Sequence, residues 1–271
     1  MSITIIYYGL LAAAGLLLLG NLFTRVWQDA FIFRPEQLPP SYSFSFLHPF
    51  SEHYLTGKKG GRIHLLWFRR PASKGLILFF HGNTGSLKRW GHLYHFFGRF
   101  DHDFMAIDYR GYGKSTGRRT EALMQSDARL VYDFACRHYA PEQIVLFGRS
   151  LGSAFACRLA AEVPARQLIL ETPFSSMRDV FYAYFPFLPR LFLFKYYFDN
   201  RQSLSAVQLP VTIFHGDRDL VVPLPVSNRL RTCLKPADCF QLIEGGSHNN
   251  LLFFAEYRRA IEAILQGPEG L

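Results

Sequence analysis

The chain has 271 residues, 49% of them hydrophobic, and a formal net charge of +9. That is enough apolar material for one large domain with a full core, and the lack of repeats or low-complexity tracts excludes a solenoid or a disordered chain. The basic residues are scattered in ones and twos, as at Lys58-Lys59, Arg69-Arg70, Arg118-Arg119 and Arg258-Arg259. With no basic run and no zinc-finger or RNA-binding signature, nucleic acid is not an expected partner. Attraction to anionic lipid headgroups accounts for the charge better.

Residues 2–24 carry no charged side chain, and a membrane span needs about 20 such residues. A cleaved signal peptide is the rival reading. It requires a basic stretch before the apolar run and a small-residue cleavage site after it, and neither is present. Residues 1–24 are therefore expected to be an uncleaved single-pass anchor, with Tyr7, Tyr8 and Trp27 at the membrane interface. Arg25 and Arg34 follow the span, which leans the folded domain towards the cytoplasmic side. Residues 25–41 read as a linker, punctuated by Pro35, Pro39 and Pro40, and the folded domain runs from 42 to 271.

Ser41-Tyr-Ser-Phe-Ser-Phe46 alternates with period two, as a strand does. Glu52–Thr56 and Arg62–Phe68 flank Gly57-Lys-Lys-Gly-Gly61, which predicts a hairpin at a sheet edge. Then the pattern changes. Gly75–Phe80 and Asp103–Asp108 are apolar runs of the kind buried on both faces of a sheet. Helices are expected from about Lys88 to Phe100 and from Thr120, a cap residue, to about Ala140. Further strands follow at Ile144–Phe147, Gln167–Thr172, Val211–Gly216 and Phe240–Glu244. Helices are expected near 225–234 and up to about Gln266. Strands alternating with helices imply a mostly parallel sheet covered on both faces, an α/β fold. Residues 173–205 interrupt this rhythm with a dense set of Phe and Tyr. Two readings stand side by side there: helices packed on the core, or a lid over a site.

The strand Ile144-Val-Leu-Phe leads into Gly148-Arg-Ser-Leu-Gly152 and then small residues opening a helix. Strand, tight turn and helix around G-x-S-x-G place a serine hydroxyl on a strained turn above the sheet, a nucleophile elbow. The flanking glycines let backbone approach closely, and the helix N-terminus favours negative charge there. A serine hydroxyl is a poor nucleophile without a base, and the base needs an acid to orient it. Ser150 is followed by Asp217 or Asp219 after one strand and by His248 after the next, both at strand carboxyl ends. Asp219 reaches one residue further and precedes a Val-Val-Pro turn, so it is the preferred acid; Asp217 is left as a turn former. His64 and His215 read as sheet residues, and His92, His95 and His138 as helix residues. The backbone N–H groups of Leu151 and Asn83 are the expected oxyanion donors. Asp108 and Arg110 read as a turn with a local ion pair. The four cysteines have no metal-site spacing; Cys136 and Cys157 read as small core residues, and a Cys233–Cys239 bond stays open.

His81-Gly-Asn-Thr-Gly, Asp108-Tyr-Arg-Gly-Tyr-Gly-Lys-Ser, Gly148-Arg-Ser-Leu-Gly-Ser, His215-Gly-Asp-Arg-Asp-Leu-Val-Val-Pro and Gly246-Ser-His occur in this order. From about residue 42 onwards the chain resembles the α/β-hydrolase superfamily. In detail it is similar to the membrane-anchored α/β-hydrolase-domain proteins, a group that includes protein depalmitoylases. The resemblance implies the α/β-hydrolase fold, within which residues 173–205 are expected as an insertion, and its H-G-x-x-D-x-x-V-P pattern puts the acid on Asp219. The depalmitoylases anchor through an N-terminal cysteine cluster. This chain has none, so their substrate is not carried across. The expected activity is hydrolysis of an ester or thioester with an apolar acyl chain at a membrane. No metal or organic cofactor is implied. The rivals are an amide hydrolase of serine-aminopeptidase type and a membrane-bound binding protein without turnover.

Overall fold

Strand β1 (Ser51–Thr56) alternates between half-buried and exposed positions, whereas β2 (Arg62–Phe68) is buried from Ile63 onwards. β3 (Gly75–Phe80), β4 (His102–Ile107) and β5 (Ile144–Arg149) are buried at every position. So is β7 (Val211–Gly216), which lies between β6 (Gln167–Glu171) and β8 (Cys239–Ile243). A computed structural model describes residues 3–266 of the chain. Among the described residues these strands form one eight-stranded sheet in the order β8-β7-β6-β5-β3-β4-β2-β1. β1 pairs antiparallel with β2, and β2 with β4; the remaining pairs are parallel. Edge position explains the pattern of β1, and burial on both faces explains the unbroken apolar runs.

The helices cover both faces. α2 (Glu121–Ala135) and α3 (Gly152–Ala160) pack Met124, Val131, Ala154 and Phe155 into one apolar cluster. The turns at Leu87–Trp90 and Tyr94–Phe97 pack Trp90, Tyr94 and Phe97 into a second cluster, together with Tyr257 and Ile261 of a helix over Ala255–Gln266. Thr120 caps α2, its side chain accepting from the Leu123 N–H at 3.2 Å, as its type at a helix start implies. The strand order reverses at β3, whose neighbours are β4 and β5. The crevice beyond the carboxyl ends of β3 and β5 is where such sheets bind ligands.

Several local expectations need correction. Residues 41–46 form no strand. Phe44 stacks on His64 (5.5 Å between centroids) and Phe46 meets Phe68 edge-on (5.2 Å), so the alternation records one-sided packing of rings onto a sheet whose edge β1 already occupies. The helix expected over 88–100 is broken by a 3₁₀ turn at Gly91–Leu93. A Cβ on Gly91 would lie 2.5 Å from the Phe46 ring, so a larger residue there would displace that ring. Cys136 is exposed, because α2 ends just before it; Cys157 is buried; Cys233 and Cys239 are free thiols. Arg110 does not pair with Asp108. It makes a two-pronged contact with Asp127 of α2 (2.6 and 2.8 Å) and donates to the Lys58 carbonyl. Asp108 instead accepts from the Leu87 N–H at 3.0 Å and faces His64 and His81, each at 3.5 Å.

The first helix, α1 (Ile3–Ile32), runs past the apolar stretch without a break. Its part over Ile3–Phe23 is long and apolar enough to cross a membrane. Arg34–Pro35 then pair with Thr84–Gly85, the loop after β3. The side chain of Trp27, expected at the interface, lies outside the described residues. The aromatic segment divides between core and crevice. Phe174, Tyr196 and Phe198 are core residues, while α4 (Met177–Tyr184) lies over the crevice.

Breaking a buried ion pair strands its partner's charge, which costs roughly 3–5 kcal/mol. Arg110→Met should therefore lower the melting temperature of the detergent-solubilised chain by roughly 10 °C. The double variant Arg110→Met/Asp127→Leu should recover much of that loss.

Candidate active site

Ser150 ends the turn between β5 and α3 with φ +51°, a conformation most L-residues avoid. Its N–H donates to the Glu171 carbonyl (2.9 Å), and its own carbonyl accepts from the Ser153 hydroxyl (2.6 Å) and the Ser153 N–H (2.9 Å). These bonds hold the turn in its strained form. The glycines on either side are required by space. A Cβ on Gly152 would fall 1.9 Å from the Phe80 carbonyl oxygen, and one on Gly148 would fall 2.7 Å from the Ala156 Cβ.

The structure brings Ser150, His248 and Asp219 together. The Asp219 Oδ2 lies 2.7 Å from His248 Nδ1, and His248 Nε2 lies 3.0 Å from Ser150 Oγ. A carboxylate only accepts, so Nδ1 carries the proton and Nε2 is left to accept from the serine hydroxyl. The other Asp219 oxygen takes the N–H groups of Val221 and Val222, both at 2.8 Å. This fixes the carboxylate and explains the Val-Val-Pro turn after it. Asp217 is exposed and outside this chain of bonds. His215 lies beneath Asp219 (3.6 Å) and donates through Nε2 to the Val222 carbonyl (3.0 Å). Burial pushes its pKa down, further than Asp219 and the Val222 carbonyl raise it. It is therefore neutral near pH 7 and leaves the Asp219 charge to His248.

The two expected oxyanion donors face the same crevice. Among the described residues, neither the Asn83 nor the Leu151 N–H donates to another group of the protein. The Gly82 carbonyl accepts from His81 Nδ1 at 2.6 Å. That carbonyl and the Asn83 N–H are opposite ends of one trans peptide, so the imidazole aims the N–H away from itself. The Asn83 carbonyl is held by the Arg34 N–H (2.9 Å) and the Tyr112 hydroxyl (2.7 Å).

Some contributors escaped the sequence reading. Arg149 donates to the His248 carbonyl (3.0 Å) and to Asn249 Oδ1 (3.1 Å), and pairs with Glu171 (3.2 Å). Glu171 in turn accepts from the Tyr257 hydroxyl. The signal was an arginine at the end of an apolar strand, where a buried cation needs partners. Beside Ser150 opens a cavity of about 780 Å³. Its walls include α4 (Val180, Phe181, Tyr184), Phe174, Val222 and, from the second half of α1, Phe23, Phe31 and Ile32. Among the described residues that line it, none is acidic.

A nucleophile elbow on a mostly parallel eight-stranded sheet, with a histidine and an aspartate at the following strand ends, defines a serine hydrolase of the α/β type. Comparison with known proteins agrees. A family model described as serine aminopeptidase, S33, matches residues 71–194. The human alpha/beta hydrolase domain-containing protein 17B is 30% identical over 212 residues, which cover 76% of this chain and 72% of that one. A lysophosphatidylserine lipase of Macaca fascicularis is 31% identical over 200 residues, 65% of this chain but only 50% of its own length. An esterase structure from Pyrococcus furiosus superposes with a TM-score of 0.68 over 87% of this chain and 97% of its own, at 18% identity. The chain belongs to the α/β-hydrolase superfamily, among the α/β-hydrolase domain-containing proteins.

Two outcomes follow. Removing the Arg149 brace with Arg149→Met should lower kcat about 10- to 100-fold with a smaller change in KM, since displacing a reacting group by about 1 Å has effects of this size; steady-state kinetics measure the split. The second concerns pH. His102 and His215 bind protons less readily folded than unfolded, because burial disfavours their cations. Their stabilising contribution is complete above the unfolded value of about 6.5 and is lost as pH falls below it. Thermal melting should therefore show a declining midpoint from about pH 6.5 to 5.

Proposed function

We propose that this enzyme hydrolyses carboxylic esters or thioesters of apolar acyl chains at a membrane surface. Ser150 is the nucleophile, His248 the general base and Asp219 the group that orients the imidazole and stabilises its cation. The Ser150 oxygen attacks the acyl carbonyl as its proton passes to His248 Nε2. The oxyanion is held by the N–H groups of Asn83 and Leu151, and losing one such donor typically costs about 10²–10³ in rate. His248 then gives its proton to the departing alcohol or thiol. Water, deprotonated by the same imidazole, attacks the acyl-enzyme; His248 returns the proton to Ser150 and the carboxylic acid leaves.

The cavity carries the substrate reading. Most of its exposed wall is aromatic and aliphatic, with Arg34, Arg89 and Arg149 also among the lining, and it reaches from Ser150 to Phe23, the last residue of the apolar stretch Ile3–Phe23. An acyl chain fits such a wall, and a relative is named as a lipase for a lysophospholipid. The anchor reading rests on that same stretch, with the enzyme on the cytoplasmic side because Arg25 and Arg34 follow it. The aminopeptidase description of the family model favours an amide substrate, which needs an acid to bind a free amine. The two aspartates of the lid segment are engaged elsewhere: Asp179 pairs with Arg229, and Asp199 caps the short helix Asn200–Leu204.

The test is hydrolysis of p-nitrophenyl esters of graded chain length by the detergent-solubilised enzyme. Turnover should rise with chain length, and Ser150→Ala should remove it by about 10⁴-fold or more. Activity confined to short chains contradicts the lipid reading, and activity surviving in Ser150→Ala contradicts the mechanism.

A further inference from the structure

Beside single exposed residues such as Leu47 and Phe253, the domain exposes a run of large apolar side chains within one segment. Phe187 is 99% exposed, Leu191 62% and Leu193 61%, and Tyr184 and Phe185 are half exposed. Leu220 and Val221 adjoin this patch, because the Tyr184 hydroxyl is shared between their carbonyls (2.6 and 3.0 Å). Arginines frame it. The guanidinium groups of Arg178 and Arg190 both lie over the Tyr182 ring, at 5.8 and 5.5 Å, and Arg178 donates to the Arg190 carbonyl. An apolar tip rimmed by arginines is unusual on a surface that only meets water and is the composition of a membrane-interface contact.

The position of the tip says what covers it. The Leu193 N–H donates to Asn21 Oδ1 at 2.6 Å, and the Lys195 N–H donates to Gln28 Oε1 at 2.8 Å. Lys195 and Tyr196 also engage the Asp29 carboxylate. Burial raises the pKa of Asp29, but these two bonds outweigh it and hold the value below the ordinary one. A Cβ on Gly20 would come 2.7 Å from the Phe192 ring. Gly20 and Asn21 are in the last turn of Ile3–Phe23. An α-helix rises about 1.5 Å per residue, so Phe192 and Leu193 stand within one turn of the end of that stretch. Placing the stretch across a bilayer therefore carries Phe192 and Leu193 to the edge of its hydrocarbon, with the exposed Phe187 and Leu191 a few residues away on the same segment.

We infer that residues 184–193 are a second membrane contact, dipping into the leaflet in which the anchor ends. Arg178 and Arg190 meet the anionic headgroups of that leaflet. The acyl chain enters the cavity from the same leaflet, between Phe23 and Phe31 of α1 and Phe181 and Phe185 of the lid. This inference rests on the anchored acyl-ester reading above. It adds that the lid is held open to lipid by the anchor helix itself.

The test uses the full chain in phosphatidylcholine–phosphatidylglycerol vesicles. Phe187→Trp should add blue-shifted emission that brominated acyl chains quench. Phe187→Glu/Leu191→Glu, at exposed positions outside the cavity, should lower hydrolysis of a vesicle-borne long-chain ester about tenfold or more while soluble short-chain hydrolysis stays within about twofold. A Phe187→Trp chain that floats with vesicles but shows no quenching beyond that of the wild-type chain, or a double variant with undiminished vesicle hydrolysis, overturns the inference and leaves the anchor standing. A chain that does not float overturns both. Quenching without any Ser150-dependent hydrolysis upholds the contact and removes the acyl-ester reading.

Discussion

The approach of Gly152 to the end of β3 is the constraint on which the site depends. The space for a side chain at that residue is taken by the Phe80 carbonyl oxygen. Backbone therefore touches backbone where the strand order reverses, and the start of α3 lies against the loop that follows β3. Two N–H groups from segments far apart in sequence, those of Asn83 and Leu151, then face one space beside the Ser150 hydroxyl. Holding Ser150 at φ +51° costs on the order of 1–3 kcal/mol, set against bonds to Glu171 and Ser153. Any residue larger than glycine at 152 separates the two loops before it touches the serine itself.

The histidine and the acid arrive by a different route. Each sits on a loop after its own strand, and each loop is pinned by groups that do not react. Val221 and Val222 N–H groups hold Asp219, and Arg149 holds the carbonyl of His248. Arg149 immediately precedes the serine, so one residue ties the elbow to the histidine loop. Glu171 links the same points, since its carbonyl holds Ser150 N–H and its carboxylate pairs with Arg149. Motion of the histidine loop is thereby coupled to the elbow.

Much of this was legible in the sequence, for identifiable reasons. Burial on both faces makes unbroken apolar runs, so β3, β4, β5 and β7 announced themselves. The turn chemistry of Gly148–Gly152 and the order of Ser150, Asp219 and His248 are local, and these are the groups found within hydrogen-bond reach. What escaped is non-local. Period two at Ser41–Phe46 describes which side chains face inward, and it cannot say whether a partner strand is free. Asp108 and Arg110 are adjacent on the chain but their partners come from other elements, His64 and His81 for one and Asp127 for the other. The length of α1 was hidden because Arg25 and Asp29 end the apolar pattern without ending the helix. Gln28, a polar residue buried against the lid, gave no periodic signal. The apolar stretch and the catalytic domain read as separate modules, whereas α1 supplies part of the cavity wall.

The central claim is that Ser150 is a nucleophile made reactive by His248, and covalent capture tests it most directly. The intact chain would be treated with a fluorophosphonate probe, digested and mapped by mass spectrometry. The account predicts a single phosphonylated serine, Ser150, with labelling slowed at least about 10²-fold in His248→Ala. Labelling of a different serine, or of Ser150 at an unchanged rate without the imidazole, would contradict it.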